Sequence, residues 1–108
     1  MQPTGAKLFS YGTLQSHRVQ RALFGRRVSA TPDTLAGFRI GTLRYRDAPE
    51  APSYKVLEPD PLAPLVNGML LHLEPVDLAA ADAYEGPGYR RIAAVFGSGR
   101  NGWVYVRA

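Results

Sequence analysis

The stretch from Leu8 to Leu14 starts as a short apolar strand and breaks at Gly12 into a polar turn. Because glycine adopts backbone conformations that are closed to other residues, such a turn releases several N–H groups from the hydrogen bonds of a sheet. Successive N–H groups of this kind form a concave site for anions. Glycine also ends strands for purely structural reasons, which is the commoner case for an isolated junction. The candidate binding residues in this turn are Tyr11, Gly12, Thr13 and Leu14.

Chain length and residue types bound the class of protein. The 108 residues predict one domain, 1–108, that is large enough to bury a core. The chain has no cysteine, which excludes disulfides, thiolate metal sites and a cysteine nucleophile. Its two histidines, His17 and His72, are too few for a typical histidine metal site. We therefore expect no cofactor and no metal.

The apolar segments of the chain are short. None approaches the roughly 18 residues that a membrane span requires, and Met1 to Ala6 lacks the pattern of a signal peptide. We therefore expect a cytoplasmic protein with no membrane partner, either a monomer or a homodimer.

The net charge of +4 comes mainly from arginine, with eleven arginines against two lysines. A basic balance makes nucleic acid a partner to consider. The arginines are scattered, however, with neither a long basic run nor an aromatic and basic motif of the RNA-binding kind. This pattern is typical of a solvated surface, so we expect no nucleic-acid partner.

The first part of the chain after the turn predicts a helix followed by strands. Ser16 can cap a short helix that ends at Gly25. Val28 and the segment Thr34 to Leu43 have the composition of strands. We expect interruptions of these strands at Gly37 and Gly41, and a turn at Pro32 and Asp33.

The middle of the chain, from Arg44 to Leu65, contains five prolines and lacks a clear period. Within it only Ser53 to Leu57 could form a strand, and a long loop of this kind is either a functional cover or simply mobile. The following segment, Val66 to Leu73, is apolar and of strand length, so we expect a central strand. In it, His72 is expected to be a core histidine with a satisfied ring.

A second helix is predicted to open at Glu74 to Asp77 and to run through Glu85 or the residue before it. Leu78, Ala81 and Glu85 are spaced i, i+3 and i+7, which places all three on one face. Glu85 therefore leaves the helix on the side that faces the core. Charged side chains rarely point there without a partner or a function.

Two strands are predicted at the end of the chain, over Tyr89 to Phe96 and Trp103 to Arg107. The residues between them spell a dinucleotide-binding fingerprint by letter, from Gly97 to Gly102. That fingerprint requires a helix where a strand follows here. Asn101-Gly102 between two strands indicates a hairpin turn instead.

These residues limit the chemistry. No serine lies in a nucleophile elbow, and a glycosidase would need a second inward carboxylate. A single glutamate suffices where the substrate brings its own nucleophile, as when an amine attacks a carbonyl of the same molecule. Burial and the negative end of its helix would both raise the pKa of Glu85. Pairing with Arg90 or Arg91 would lower that pKa instead, and the sequence leaves both open.

Together these stretches resemble the gamma-glutamylcyclotransferase-like, or AIG2-like, family. Its members carry Tyr-Gly-Thr/Ser-Leu after the first strand, and a Leu-Asp-x-x-Glu-Gly helix end followed by Tyr-x-Arg. The matching residues here are Tyr11-Gly12-Thr13-Leu14, Ala81-Asp82-Ala83-Tyr84-Glu85-Gly86 and Tyr89-Arg90-Arg91, with Trp103-Val104-Tyr105-Val106 similar to the final strand.

The resemblance implies an α+β fold, a mixed β-barrel with short helices packed outside it. It implies an enzyme that releases 5-oxoproline and a free amine from a gamma-glutamyl amine or gamma-glutamyl amino acid. Glu85 would be the general acid/base, and the turn from Tyr11 to Leu14 would hold the glutamyl part through backbone N–H groups. Asp82 would fix the helix end, with Tyr89 and Tyr105 either lining the cavity or packing in the core.

Two positions depart from the family pattern. Ala81 stands where leucine is usual, and Tyr54-Lys55 stands where many members have Tyr-Pro, in the region where the leaving amine would be recognised. An alternative function for the same fold is a non-catalytic module that binds a small metabolite.

Overall fold

The computed structural model describes residues 5–44 and 54–108, and within them seven strands and two α-helices are formed. In chain order the elements are β1 (Ala6–Ser10), a 3₁₀ helix (Thr13–Gln15), α1 (His17–Phe24), β2 (Ala30–Leu35), β3 (Phe38–Leu43), β4 (Tyr54–Pro59), β5 (Val66–Leu73), α2 (Pro75–Glu85), β6 (Tyr89–Val95) and β7 (Asn101–Arg107).

Five strands form one mixed sheet in the order β2-β5-β1-β7-β6. β1 runs parallel to β7, with Leu8 opposite Trp103, and the other neighbours in this sheet are antiparallel. β3 and β4 pair antiparallel in a second sheet. The predicted α+β class is therefore confirmed, as is the interior position of β5, which pairs with β2 on one side and β1 on the other.

Two apolar clusters lie on opposite faces of the large sheet, because successive residues of a strand point to opposite sides. On one face, Phe9 and Val104 pack with Leu57 of β4, so this core lies between the two sheets. On the other face, Leu8 and Tyr105 pack with residues of α1 and α2. The strands thus enclose one core while both helices lie outside it, as expected for a mixed barrel.

Contacts between outer parts of the large sheet close one end of this barrel. The backbone N–H of Gly97, in the turn between β6 and β7, donates to the carbonyl of Thr34 in β2 at 2.9 Å. Beside it, the Ser98 hydroxyl donates to the carboxylate of Asp33 at 2.6 Å. Because β2 and β6 are the two edges of the sheet, these bonds protect the edges by joining them.

Both predicted helices are confirmed with their caps. The side chain of Ser16 accepts a hydrogen bond from the Val19 backbone N–H, and Gly25 ends α1 in the left-handed conformation with φ of 74°. At the start of α2, Glu74 and Asp77 form a reciprocal capping box. No helix in residues 5–44 and 54–108 has the length and apolar character to cross a membrane.

The turn predicted at Pro32 and Asp33 is wrong. Both residues lie inside β2, where Pro32 is opposite Met69 of β5. Proline is tolerated there because β2 is an edge strand that needs hydrogen bonds on one side only. Gly41 does not interrupt β3, since it pairs with Val56, and Val28 precedes β2 instead of lying in a strand.

The final hairpin is confirmed, but its turn lies earlier than predicted. Asn101 and Gly102 already belong to β7, opposite Val95 and Ala94. The chain reverses before them, where Gly99 takes a left-handed φ of 87°. In the proline-rich middle, the strand predicted over Ser53 to Leu57 is present as β4, which continues to Pro59. Residues 45–53 of the long loop considered as a functional cover lie outside the described residues.

Gly68 of β5 is closely approached by the end of β1. A Cβ atom added there would lie 2.5 Å from the Ser10 carbonyl oxygen and 2.6 Å from Phe9 Cζ. We expect Gly68→Ala to lower the free energy of unfolding by about 1–3 kcal/mol, because a backbone atom must move. Chemical denaturation would measure this, with Gly5→Ala as the control since its nearest atom would be 3.4 Å away. Equal stability of both variants would contradict the close packing of β5 against β1.

Candidate active site

A cavity of about 790 Å³ opens at the end of β1. Its wall is built from the loop that follows β1, the start of β4, the end of α2 and aromatic residues of β6 and β7. The lining residues are Phe9, Ser10, Tyr11, Gly12, Thr13, Leu14, Gln15, Tyr54, Lys55, Tyr84, Glu85, Tyr89 and Tyr105.

The first wall is the opening loop, residues 11–15. In the part of the chain that the structure describes, the backbone N–H groups of Thr13 and Leu14 donate to no protein acceptor. They are the first N–H groups of the 3₁₀ helix, where intrahelical acceptors are missing. Gly12 has a φ of −148° and a ψ of −140°, so its backbone is neither left-handed nor ordinary extended strand. The two N–H groups lack an acceptor because a 3₁₀ helix begins there.

Glutamine side chains hold the opening loop in place. The Gln15 amide donates to the Ser10 carbonyl at 3.1 Å, which links the loop to the strand before it. Gln20 of α1 is buried, donates to the Leu14 carbonyl at 2.9 Å and accepts from the Val28 N–H at 3.0 Å. A buried side-chain amide whose nitrogen and oxygen are both hydrogen-bonded holds the loop firmly in place. Sequence reasoning missed both residues, and the one available signal was a glutamine inside an apolar helix pattern.

Glu85 forms the second wall as the last residue of α2. Leu78 and Ala81 of the same face are buried in the core, so the helix presents Glu85 toward the interior as predicted. Gly86 follows with a φ of 78°, which turns the chain away from the helix axis. Burial raises the pKa of the Glu85 carboxyl to about 7. Within residues 5–44 and 54–108, no side chain forms a hydrogen bond or ion pair with it.

Neither Arg90 nor Arg91, the two possible partners of Glu85, forms an ion pair with it. Arg91 donates to both oxygens of Asp82, at 2.8 and 3.1 Å, and its guanidinium lies 4.4 Å from the centre of the Trp103 ring. Tyr105 donates to the same Asp82 carboxylate at 2.6 Å. These hydrogen bonds, led by the one from Arg91, lower the pKa of Asp82. Asp82 therefore joins α2 to β6 and β7 and keeps Arg91 from pairing with Glu85.

Two hydrogen bonds attach the walls on either side of Glu85. The Thr13 hydroxyl and the Tyr84 hydroxyl are 2.7 Å apart, which joins the opening loop to the end of α2. The Tyr89 hydroxyl donates to the Lys55 carbonyl at 2.7 Å, which joins the start of β6 to β4. Glu85 directly follows Tyr84 in the chain and lines the same cavity.

Tyr11 and Tyr105 form the inner wall and stay neutral. Tyr11 donates to the Tyr105 carbonyl at 2.9 Å. Burial raises the pKa of both phenols above the usual value, and the nearby Glu85 carboxylate adds to the rise. Their hydroxyl groups therefore keep their protons at any pH at which Glu85 titrates.

The structure brings the predicted binding residues Tyr11, Gly12, Thr13 and Leu14 into one cavity with Glu85. Tyr89 and Tyr105 line it too, whereas His72 does not and instead bonds to the Thr31 hydroxyl at 2.8 Å. Among the described residues, no cluster of three or more histidine, aspartate or glutamate side chains could hold a metal ion. The arrangement offers main-chain donors, one protonatable carboxylate and an aromatic wall.

The family model of gamma-glutamyl cyclotransferase, AIG2-like proteins matches residues 8–108. The chain therefore belongs to the gamma-glutamyl cyclotransferase, AIG2-like family. Among curated proteins no significant match was found.

Solved structures share the fold. The solution structures of At3g28950.1 and At5g39720.1 from Arabidopsis thaliana align with TM-scores of 0.77 and 0.79, at 20% and 22% identity. A crystal structure of the uncharacterized protein loc79017 from Homo sapiens aligns with a TM-score of 0.77 at 16% identity. The alignments cover 98%, 99% and 98% of this chain, and 64%, 71% and 68% of those chains. This chain thus spans less than two thirds of the first of them.

The raised pKa of Glu85 predicts a pH-dependent effect on stability. In the unfolded chain the carboxyl ionises near its ordinary value of 4.5, whereas in the folded protein it holds its proton until about 7. The unfolded state therefore binds fewer protons between these values, and Glu85 lowers stability as the pH rises through this window. A glutamine at position 85 cannot ionise, so the variant should not lose stability in this pH window.

We expect Glu85→Gln to be more stable than the parent at pH 8, by about 2 kcal/mol once the partial exposure of the side chain is allowed for. At pH 4 the two proteins should differ little. Urea unfolding at both pH values measures the difference. A difference that is the same at pH 4 and pH 8 would contradict the raised pKa.

Proposed function

We propose that this protein is a gamma-glutamylcyclotransferase-type enzyme that converts a gamma-glutamyl amine or gamma-glutamyl amino acid into 5-oxoproline and a free amine. In this reaction the substrate's α-amine attacks its own side-chain amide carbonyl. A C–N bond forms to close the five-membered ring, and the C–N bond to the leaving amine breaks. The single observation that carries the proposal is that the half-buried carboxylate of Glu85, which no described residue pairs with, shares a cavity with the opening loop.

The opening loop would hold the glutamyl part. The N–H groups of Thr13 and Leu14 can donate to the substrate's α-carboxylate, because oriented backbone donors favour an anion. The loop is rigid, since Gln15 and Gln20 fix its backbone carbonyls. A rigid binding loop favours cyclisation by holding amine and carbonyl in the geometry of attack.

Glu85 would carry the protons. With a pKa near 7 it is partly ionised at neutral pH and can accept the proton that the α-ammonium must lose before it attacks. The same carboxyl can then return the proton to the departing nitrogen, which leaves as a neutral amine. One group thus acts first as base and then as acid. The ring nitrogen loses a second proton as it becomes the amide of 5-oxoproline, and the free amine takes up that proton as an ammonium ion, so that the proton count closes.

The surroundings support this role. Arg91 is held by Asp82, so no cation of the described chain lowers the pKa of Glu85. Tyr11 and Tyr105 are neutral, so they neither compete for the proton nor add a second negative charge. A carboxyl in this setting stays near the operating pH of a proton shuttle.

We expect Glu85→Gln to lower kcat for 5-oxoproline release by about 10²- to 10⁴-fold, because the proton acceptor is lost. KM should change little, since the amide keeps the shape of the side chain. The assay should cover a panel of gamma-glutamyl amines and amino acids. Glu74→Gln is the matched control, because it removes one carboxylate at the exposed start of α2 and keeps an acceptor for the cap.

A binding module of the same fold would behave differently in this test. It would bind a gamma-glutamyl ligand without turnover in both the parent and the Glu85→Gln protein, as seen by calorimetry. That result, or undiminished turnover by Glu85→Gln, would refute the enzymatic proposal.

A further inference from the structure

The cavity carries very few charges. Among the described residues that line it, Glu85 is the one carboxylate and Lys55 the one cation, and the rest are neutral. Among the described residues, the groups that can meet a negative charge on a bound molecule are therefore the N–H groups of the opening loop and Lys55.

Lys55 lies at the start of β4 and lines the cavity. Leu57, two residues later, belongs to the core between the two sheets, and residues i and i+2 of a strand share a face. Leu57 is fully buried whereas Lys55 is exposed, so Lys55 sits where this face reaches the mouth of the cavity.

The ammonium group of Lys55 has no carboxylate partner within the described part of the protein. The neighbouring strands contain arginines that are paired, since both Arg39 and Arg107 contact the carboxylate of Glu58. Lys55 forms no ion pair with any residue of 5–44 or 54–108. Its backbone is nevertheless fixed, because the Lys55 carbonyl accepts the hydrogen bond from Tyr89 at 2.7 Å.

Lys55 and the opening loop belong to different walls of the cavity, since Lys55 is part of β4. Tyr84, beside Glu85 in the chain, bonds to Thr13 of the loop, whereas the Lys55 carbonyl accepts a bond from Tyr89. A substrate whose glutamyl part is held by the loop and whose scissile amide lies at Glu85 would extend its leaving amine toward β4.

We propose that Lys55 is a specificity-determining residue that selects leaving amines carrying a carboxylate, so that the preferred substrates are gamma-glutamyl amino acids over gamma-glutamyl derivatives of neutral or cationic amines. This rests on the proposed function. Lys55 takes no part in bond making; its ammonium pairs with the carboxylate of the leaving half and holds that half while the ring closes.

The test compares two substrates that differ by that carboxylate alone, gamma-glutamyl-alanine and gamma-glutamyl-ethylamide. We expect the parent protein to favour gamma-glutamyl-alanine by about tenfold in kcat/KM, mainly through KM, as an accessible charge-assisted hydrogen bond allows. Lys55→Met should abolish this preference, whereas Lys55→Arg should retain most of it. Raising the salt concentration should weaken it in the parent.

The controls separate charge selection from damage to the fold. Lys7→Met removes the other lysine of the chain, in β1 and outside the cavity lining, and should keep the preference. A fall in kcat/KM for both substrates by the same factor in Lys55→Met would overturn the proposal, because Lys55 would then hold the glutamyl carboxylate or support the fold. A parent protein without any preference would overturn it as well.

The role of Lys55 can be tested even if the protein does not catalyse the proposed reaction. If the parent turns over neither substrate, calorimetric binding of the same pair decides the role of Lys55. Tighter binding of gamma-glutamyl-alanine that is lost in Lys55→Met supports charge selection in a non-catalytic protein. Equal binding of the pair, or no binding of either, overturns it.

Discussion

The ion pair between Asp82 and Arg91 determines what Glu85 can do. Arg91 follows Glu85 by six residues and would lower the pKa of that carboxyl if it paired with it. Instead its guanidinium is bound by both oxygens of Asp82 and lies over the Trp103 ring. Glu85 is therefore half-buried without a compensating cation in the described chain, and its pKa rises to about 7. A structural ion pair one helical turn away thus creates a group that can exchange protons at neutral pH.

The sheet order brings the two walls of the cavity together. β1 lies between β5 and β7, so the loop that follows β1 emerges at the centre of the large sheet, beside Tyr105 of β7. α2 packs on the outer face of the same sheet through Leu78 and Ala81, and its last turn reaches the loop through Tyr84. The glutamate and the main-chain donors of the loop are therefore positioned by separate elements that one core fixes.

Local patterns in the sequence were enough to predict both helices and the face of α2 on which Glu85 lies. Ser16 and Gly25 mark α1 by their own chemistry, and the spacing of Leu78, Ala81 and Glu85 defines one helix face. Predictions failed where the answer depended on distant residues. Proline is accommodated at position 32 of a strand because β2 is an edge. The unbonded N–H groups of the opening loop arise from a 3₁₀ helix, with Gln20 fixing its end. The partner of Arg91 was likewise undecidable, since Asp82 and Glu85 are both within its reach along the chain.

The titration of the Glu85 carboxyl in the intact protein tests the account most directly. Carbon-13 NMR of protein labelled at the glutamate side chains would follow that resonance, with Glu85→Gln used to assign it. The account predicts a midpoint near pH 7, because the carboxyl is largely removed from solvent and no described residue pairs with it. A midpoint at or below the ordinary value of 4.5 would show that a cation or solvent stabilises the charged form, and would contradict the proposed role of Glu85 as proton carrier.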